Sequence, residues 1–574
     1  MSVARTILSR SLRRSVKSFF RPQLCRTLSS STNILDSGLP DVSIPSTSIP
    51  EFVFSKCEKY DHFTAIECGI TGRKYTYGEI ISKSKNLSRA LRKKLGLKDG
   101  DVVAVLLPNV PEFPLVTLGV LHANLIVTTL NPVYTQEEIF RQLSDSSAKA
   151  LITLVTSFPT ASAACNKPFP IITIKTEQTQ STPAGAIDFA ELVDNVIDLT
   201  DPVPRKADDV AFLPYSSGTT GLPKGVQLTN YNIVANISQN SSPDLPFIEE
   251  TTKEHQDVIP VILPMFHIYG FTVNTMFILT KGTKLVTLPK FTPEDYVRVL
   301  RNHKPNILFV VPPIVLFLAG HPMVKREDLD PVRVAFSGAA PLGALDEQRL
   351  IEKAGKSVHM LQGYGLTETS PTVTAISIKL KEECDDVCGS IGRPIPNTLV
   401  KVVAIDDASG TPLGPNTTGE LLVKGPQVMK SYLNRPEETD NTFLDGWLRT
   451  GDMVYYNDQR VLFVTDRLKE LIKVKGFQVA PAELEEIIRD FPNVDDAAVI
   501  GVPHPSQGEA PRAYIVPKKN TKVDTKKLEE YVKEKVAHYK QLKGGVTIVD
   551  SIPKNASGKI MRRSLQLDYE KTNK

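Results

Sequence analysis

Tyr215-Ser-Ser-Gly-Thr-Thr-Gly-Leu-Pro-Lys-Gly-Val226 is the stretch on which the reading of this chain turns. It follows an apolar run, Val210-Ala-Phe-Leu-Pro214, and gathers hydroxyl side chains, glycines and one lysine into a loop. Glycine lets the backbone turn sharply and bring its amide groups close to an anion. The hydroxyls donate further hydrogen bonds, and Lys224 adds positive charge. These are the parts of a phosphate cradle. No Gly-Lys-Ser/Thr closes the glycine spacing, so this is not the P-loop of the common NTPases, and capture by a helix dipole is not expected.

Six further motifs follow in order. They are Pro264-Met-Phe-His-Ile-Tyr-Gly270, Ser337-Gly-Ala-Ala-Pro341, Gln362-Gly-Tyr-Gly-Leu-Thr-Glu368, Thr450-Gly-Asp452, Asp466-Arg-Leu-Lys-Glu-Leu-Ile-Lys-Val-Lys-Gly-Phe-Gln478 and Pro553-Lys-Asn-Ala-Ser-Gly-Lys559. The loop and its successors closely resemble the signature set of the adenylate-forming enzymes. That group includes acyl-CoA synthetases, 4-coumarate–CoA ligases, beetle luciferases and peptide-synthetase adenylation domains. The resemblance runs from about residue 50 to the end of the chain. It implies an α/β protein with a large multi-sheet N-terminal adenylation domain over residues 51–466 and a small α+β C-terminal lid over 467–574. Its chemistry joins a carboxylic acid to ATP as an acyl-adenylate and then passes the acyl group to CoA, with Mg2+ as the cofactor.

Adenylation brings two anions together, so cations, a metal and hydrogen-bond donors are needed around the α-phosphate. Ser216, Ser217, Gly218, Thr219, Thr220, Gly221 and Lys224 suit the β- and γ-phosphates. By resemblance, Thr367 contacts the α-phosphate and Glu368 holds Mg2+, a hard ion that prefers oxygen ligands. Tyr364 stacks on adenine in a slot lined by Gly338 and Ala339, with Gln362, Gly363 and Gly365 beside it. Asp452 offers a bidentate acceptor to the ribose diol, and Arg467 a second polar contact. Lys559, in a Ser-Gly loop, stabilises the charge that develops during adenylation.

The same resemblance makes Lys469 a hinge, where one backbone torsion turns the lid. Lys473, Gly476 and Gln478 then enter the site for CoA, Gly476 leaving room for pantetheine. His267 lies beside the reactive carboxylate, with a role in positioning. Tyr269, Gly338, Gly363, Ser370, Pro371 and Thr372 complete the acid pocket with it. The chemical work thus falls to Lys559, His267, Thr367, Glu368 and Lys473. Few charges at these positions suit a hydrophobic acid.

Composition bounds the alternatives. The chain has 574 residues, too many for one core, with 41% apolar and 23% charged residues and a net charge of +4. This is an ordinary globular balance, and it does not suggest a nucleic-acid partner. No apolar run is long enough to span a bilayer. Cys25, Cys57, Cys68, Cys165, Cys384 and Cys388 are too sparse for a disulfide framework, and Cys384 with Cys388 lacks the second ligand pair of a zinc site.

The first 35 residues stand apart, with seven Arg or Lys, many serines and no acid before Asp36. At about 100° per residue, Leu8, Leu12, Val16, Phe19 and Phe20 share one arc and Arg10, Arg13, Arg14, Lys17 and Arg21 the opposite one. This describes a mitochondrial transit peptide over residues 1–28, read by the import machinery, with a linker over 29–50 and a destination in the matrix. The import signal favours a medium- or long-chain fatty acid as substrate; an aromatic, 4-coumarate-like acid is the alternative. A carrier-dependent synthetase module, a luciferase-like oxygenase and a non-catalytic binding protein fit less well. The chain stops soon after Lys559, and Glu368, Asp452 and Lys559 are all present.

Along the chain, Val102–Leu107, Lys149–Leu154, Pro170–Ile174, Lys284–Leu288, Ile307–Val311 and Val332–Phe336 read as strands between helices such as 112–123. After Asp466, a helix over Pro481–Phe491 and another over Thr525–Val536 alternate with strands at 470–474, 496–502 and 513–516.

Overall fold

Short β-branched runs bounded by helices pair in parallel where both faces are covered, and this chain follows that rule. The computed structural model describes residues 33–572, except 166–168, 217–222, 341, 356–357, 385–386, 406, 468–469, 475–476, 506–507, 537 and 556–557, and omits the side chains of 466, 467, 477 and 478. The expected transit peptide, Ser217–Gly221, Lys469, Gly476 and the side chains of Arg467 and Gln478 therefore lie outside the described residues.

Val102–Leu106 sits between Ile126–Thr129 and Ala150–Leu154, and the sheet continues in parallel through Ile171–Ile174 to Ile187–Asp188. On the other side Val210–Phe212 joins in parallel, and Lys224–Thr229 then runs antiparallel to it. A second sheet aligns Ile307–Val310, Val334–Ser337 and His359–Gly365 in parallel, with Thr372–Ala375 returning antiparallel. The central strands Val102–Leu106, Ala150–Leu154, Ile171–Ile174, Ile307–Val310 and Val334–Ser337 are almost wholly buried and rich in Val, Ile, Leu or Phe. Between the two sheets, helix Asn230–Asn240 is buried along almost its whole length and capped by Thr229, whose hydroxyl accepts from the Asn232 amide. Phe212 and Phe271 stack at 3.9 Å between ring centroids and help join the layers.

An antiparallel sheet of Leu399–Val403, Gly419–Lys424, Trp447–Tyr456 and Leu462–Arg467 closes the large domain. The remainder is a small α+β unit in which Val494–His504 pairs with Gly508–Pro517. Helices Pro481–Arg489 and Thr525–Lys535 supply Leu484, Ile488, Leu528 and Val532 to its own core. This is the architecture expected from sequence, a large multi-sheet α/β domain with a small α+β domain. No helix among the described residues is long and apolar enough to cross a membrane.

The reading of residues 29–50 as a linker needs correction. Ile34–Leu35 forms a strand against Val400 and Lys401, and Leu35 is buried. The Val42 amide donates to Asn397 Oδ1 at 3.0 Å, and the Asn397 amide to Asp41 Oδ1 at 2.9 Å. Helix Ile49–Cys57 starts at the Ser48 cap and carries Pro50 in its first turn, where the missing N–H is not required. Prolines and serines that read as a tether from sequence are here strand edge, turn and helix start.

Candidate active site

The parallel strands of the second sheet end level with one another, Val310 opposite Ser337 and Ser337 opposite Gln362. A cavity of about 1230 Å³ opens beyond their carboxyl ends, where ligands bind in open α/β sheets. Its wall includes Ser216, Lys224, His267, Tyr269, Gly338, Ala339, Gly363, Tyr364, Gly365, Thr367, Glu368, Pro371, Thr372 and Lys559. These residues span more than half the sequence and come from both domains.

The described ends of the Tyr215–Val226 stretch are paired antiparallel strands. Tyr215 pairs with Gly225 and Ser216 with Lys224, so the described ends of the loop are fixed side by side at the cavity. The Tyr215 hydroxyl donates to Asp145 Oδ2 at 2.7 Å. Lys224 forms an ion pair with Glu438.

Glu368 is presented by a tight turn. Strand His359–Gly365 ends in the 3-10 turn Thr367–Thr369, and the Leu366 amide donates to both Pro371 O (3.1 Å) and Thr369 Oγ1 (3.0 Å). A Cβ on Gly365 would overlap the Pro371 carbonyl oxygen, so the close approach requires glycine. Tyr364 donates its hydroxyl to Asp452 Oδ2 at 2.6 Å, joining residues expected at adenine and at ribose. Asp452 lies almost wholly buried behind this tyrosine, while Thr450 and Gly451 form the wall. The Gly451 amide donates to Glu420 Oε1 at 3.1 Å, and Arg449 holds the other oxygen of the same carboxylate.

At the opposite part of the cavity, Tyr269, Phe309 and Phe336 form an aromatic wall backed by Phe247, with neighbouring ring centroids 5.5–6.2 Å apart. Gly338 gives Tyr269 its place, since an added Cβ would stand 3.2 Å from the ring. The Tyr269 amide donates to His267 Nδ1 at 3.3 Å, which leaves the proton of a neutral imidazole on Nε2. The ring sees the cavity and little bulk water, and desolvation lowers its pKa to about 4.

A pH dependence follows. The unfolded chain protonates this imidazole near 6.5 and the folded chain near 4, so the group costs stability as the pH falls through that interval and costs nothing above it. His267 therefore contributes no acidic limb to the rate of adenylation between about pH 5 and 8. The rate profiles of the parent and His267→Asn should fall at the same pH; a limb near 6.5 that vanishes in the variant contradicts this assignment.

Lys559 lines the cavity from the small domain, in a loop closed by bonds of 2.9 Å from the Asn555 amide to Lys559 O and from the Lys559 amide to Asn555 Oδ1. Its Nζ lies 3.5 Å from Glu470, a carboxylate shared with Arg562. Lys473 is exposed on strand Ile472–Val474 and does not line the cavity; its backbone amide donates to Glu509.

Two expected wall residues are turned elsewhere. The Gln362 amide faces helix Ala344–Ala354 and donates to Glu347 Oε2 at 3.2 Å, because a buried carboxylate there needs partners. Ser370 is fully buried in the tight turn and does not reach the cavity. Several wall residues escaped the sequence reading, among them Phe247, Phe309, Phe336, Glu420 and Tyr432. Phe309 and Phe336 lie in runs read as strands, while Phe247 lies in a loop with no signal of its own.

A carboxylate in a cavity of this size, flanked by hydroxyls and lysines, suits nucleotide chemistry. Among the described residues no cluster of three or more His, Cys, Asp or Glu could hold a metal alone. A single oxygen donor such as Glu368 fits Mg2+, which binds through one or two carboxylates together with substrate phosphates. A family model for the AMP-binding enzymes matches residues 53–433, and one for their C-terminal domain matches 483–559. The chain belongs to the AMP-binding enzymes, as an adenylate-forming acid–CoA ligase that uses ATP, Mg2+ and CoA. It is 37% identical to 4-coumarate–CoA ligase 3 of Oryza sativa subsp. japonica over 93% of this chain and 94% of that one. It is 36% identical to 4-coumarate–CoA ligase 1 of Solanum tuberosum over 95% and 98%. Among solved structures, ATP-bound MatB from Rhodopseudomonas palustris superposes with a TM-score of 0.81 at 28% identity, covering 92% of this chain and 100% of that one. A benzoate CoA ligase from Burkholderia xenovorans LB400 gives 0.79 at 25% identity, covering 90% and 99%.

Proposed function

We propose that the chain activates an aromatic, hydroxycinnamate-like acid. Support comes from the 4-coumarate–CoA ligases to which it is similar over nearly its whole length, and from the wall of Tyr269, Phe309 and Phe336. Flat rings stack and meet edge to face on such a wall, with fewer rotamers to lose than a flexible chain packed against the same surface. Asn240 also lines the cavity. Its Nδ2 is committed to Asn236 and Thr372, which leaves its carbonyl oxygen to accept from a ring hydroxyl. These observations weigh against the medium- or long-chain fatty acid expected from the N-terminal segment.

Most of the proposed roles follow from places in the cavity wall; that of Asp452, buried behind Tyr364, rests on the family motif Thr450-Gly-Asp452. Ser216 and Lys224 hold the β- and γ-phosphates, Thr367 the α-phosphate, Glu368 the metal, Tyr364 the adenine and Asp452 the ribose. The substrate carboxylate oxygen attacks the α-phosphorus, pyrophosphate leaves, and Lys559 stabilises the charge that builds between them. The lid then turns at Lys469, bringing Lys473, Gly476 and Gln478 to the site. The thiolate sulfur of CoA attacks the acyl carbon and AMP departs. The observation that carries this two-face reading is the contrast between Lys559, in the cavity wall, and Lys473, exposed outside it.

The substrate assignment is tested by CoA-dependent AMP release over a panel of 4-coumarate, cinnamate, benzoate and fatty acids of medium and long chain. The expected order puts 4-coumarate first in kcat/KM, with cinnamate behind it; a fatty acid at the head overturns the aromatic reading. Import into mitochondria remains our proposal for residues 1–28, and a fusion of residues 1–40 to a fluorescent protein that stays in the cytosol refutes it.

A further inference from the structure

The strand that leaves the phosphate loop, Lys224–Thr229, is paired along its outer edge by Ser431–Tyr432, with Val226 opposite Tyr432 and Gln227 opposite Ser431. Backbone bonds extend this seam in both directions. The Leu433 amide donates to Gly225 O at 2.8 Å, the Lys430 amide to Gln227 O at 3.0 Å and the Met429 amide to Glu368 O at 2.8 Å. Residues 429–433 therefore tie the base of the phosphate loop to the turn that carries Glu368.

The side chains repeat the connection. Tyr432 donates its hydroxyl to Glu368 Oε1 at 2.9 Å. Lys224 Nζ lies 5.1 Å from the centroid of the same ring while pairing with Glu438. Arg435 stands 3.8 Å from Glu438 and 3.6 Å from Asp145, the acceptor of the Tyr215 hydroxyl at the other end of the loop. A tyrosine at a strand edge commonly only packs, and a phenylalanine would serve that purpose. Here the hydroxyl is committed to a cavity carboxylate, and that bond leaves Oε2 for a cation.

We propose that Tyr432 is a positioning residue for magnesium-bound ATP, its hydroxyl orienting Glu368 toward the ion and its backbone locking that carboxylate to the phosphate loop. This rests on the reading of Glu368 as the metal ligand. The Tyr432–Glu368 bond survives nucleotide binding because it occupies a different oxygen. The Lys224–Glu438 pair is partly solvated, and such pairs are weak, so the polyphosphate can displace Glu438 from Lys224.

The test is the affinity of the full chain for ATP itself, measured by isothermal titration calorimetry with and without Mg2+, for the parent, Tyr432→Phe and Glu368→Gln. Phenylalanine keeps the ring and its packing and removes only the donor. Tyr432→Phe is expected to lose about fivefold to tenfold of the affinity measured with Mg2+, the scale of one net hydrogen bond, with unchanged affinity in its absence, unchanged Tm and unchanged KM for the acid. Glu368→Gln should lose the whole magnesium-dependent gain. If Glu368→Gln loses it and Tyr432→Phe matches the parent, the role of Tyr432 is overturned. That role is equally overturned if Tyr432→Phe weakens binding by the same factor without Mg2+, which marks packing alone. If Glu368→Gln itself behaves like the parent, the metal assignment fails, and the proposal for Tyr432 fails with it.

Discussion

Replacing Lys559 by alanine is expected to stop ATP–pyrophosphate exchange while leaving thioester formation from supplied acyl-adenylate largely intact. The lysine reaches the cavity from the small domain, on a loop fastened by Asn555 and turned at Gly558, which adopts a positive φ. A cation there meets charge as it passes from carboxylate to pyrophosphate, and removing one such group costs on the order of a hundredfold to a thousandfold in rate. The second half-reaction builds no charge of that kind, and the two-face reading gives it the surface that carries Lys473. The two assays together separate this reading from a general loss of folding, which would lower both. Equal loss in both half-reactions by a variant with the parent's Tm would show that the lid does not exchange faces.

Asp452→Ala should behave differently, weakening both half-reactions. AMP is common to ATP and to the acyl-adenylate, so a carboxylate that grips the ribose serves both. It is almost fully buried, and removing it also strands the Tyr364 hydroxyl that donates to it at 2.6 Å. Loss of a charged hydrogen-bond partner at such a site costs about 3 kcal/mol, on the order of a hundredfold in KM for ATP. Tyr364→Phe, which leaves the carboxylate in place, should cost far less. A variant that binds ATP normally but no longer binds the acid would move Asp452 out of the nucleotide site.

What could be read from sequence divides by distance along the chain. Lys559, Glu368 and the Tyr215–Val226 stretch announce themselves because their neighbours are unusual: glycine, hydroxyl and charge in a fixed order. The parallel strands were legible for the same local reason, as buried β-branched runs bounded by turns. Tyr432 has no such local signature; it acquires a role only when a strand edge brings it to a glutamate 64 residues earlier. The aromatic wall is invisible in the same way, since Phe247, Phe309 and Phe336 lie in separate elements whose side chains meet only in the fold. Gln362 was misplaced because a motif fixes which backbone is present, not which way a side chain turns; a buried Glu347 claimed its amide. The segment before Ile49 misled for the opposite reason. Its prolines suggested a tether, yet Leu35 and Ile49 find buried places and Ser48 caps the first long helix.

The central claim is that the carboxylate of the substrate attacks the α-phosphorus of ATP, and isotope transfer tests it most directly. The purified chain would be given ATP, Mg2+, CoA and 4-coumarate labelled with heavy oxygen in both carboxylate positions, and the phosphates would be weighed by mass spectrometry. The account predicts one heavy oxygen in the phosphate of AMP and none in pyrophosphate. Label in inorganic phosphate, released together with ADP, would contradict it.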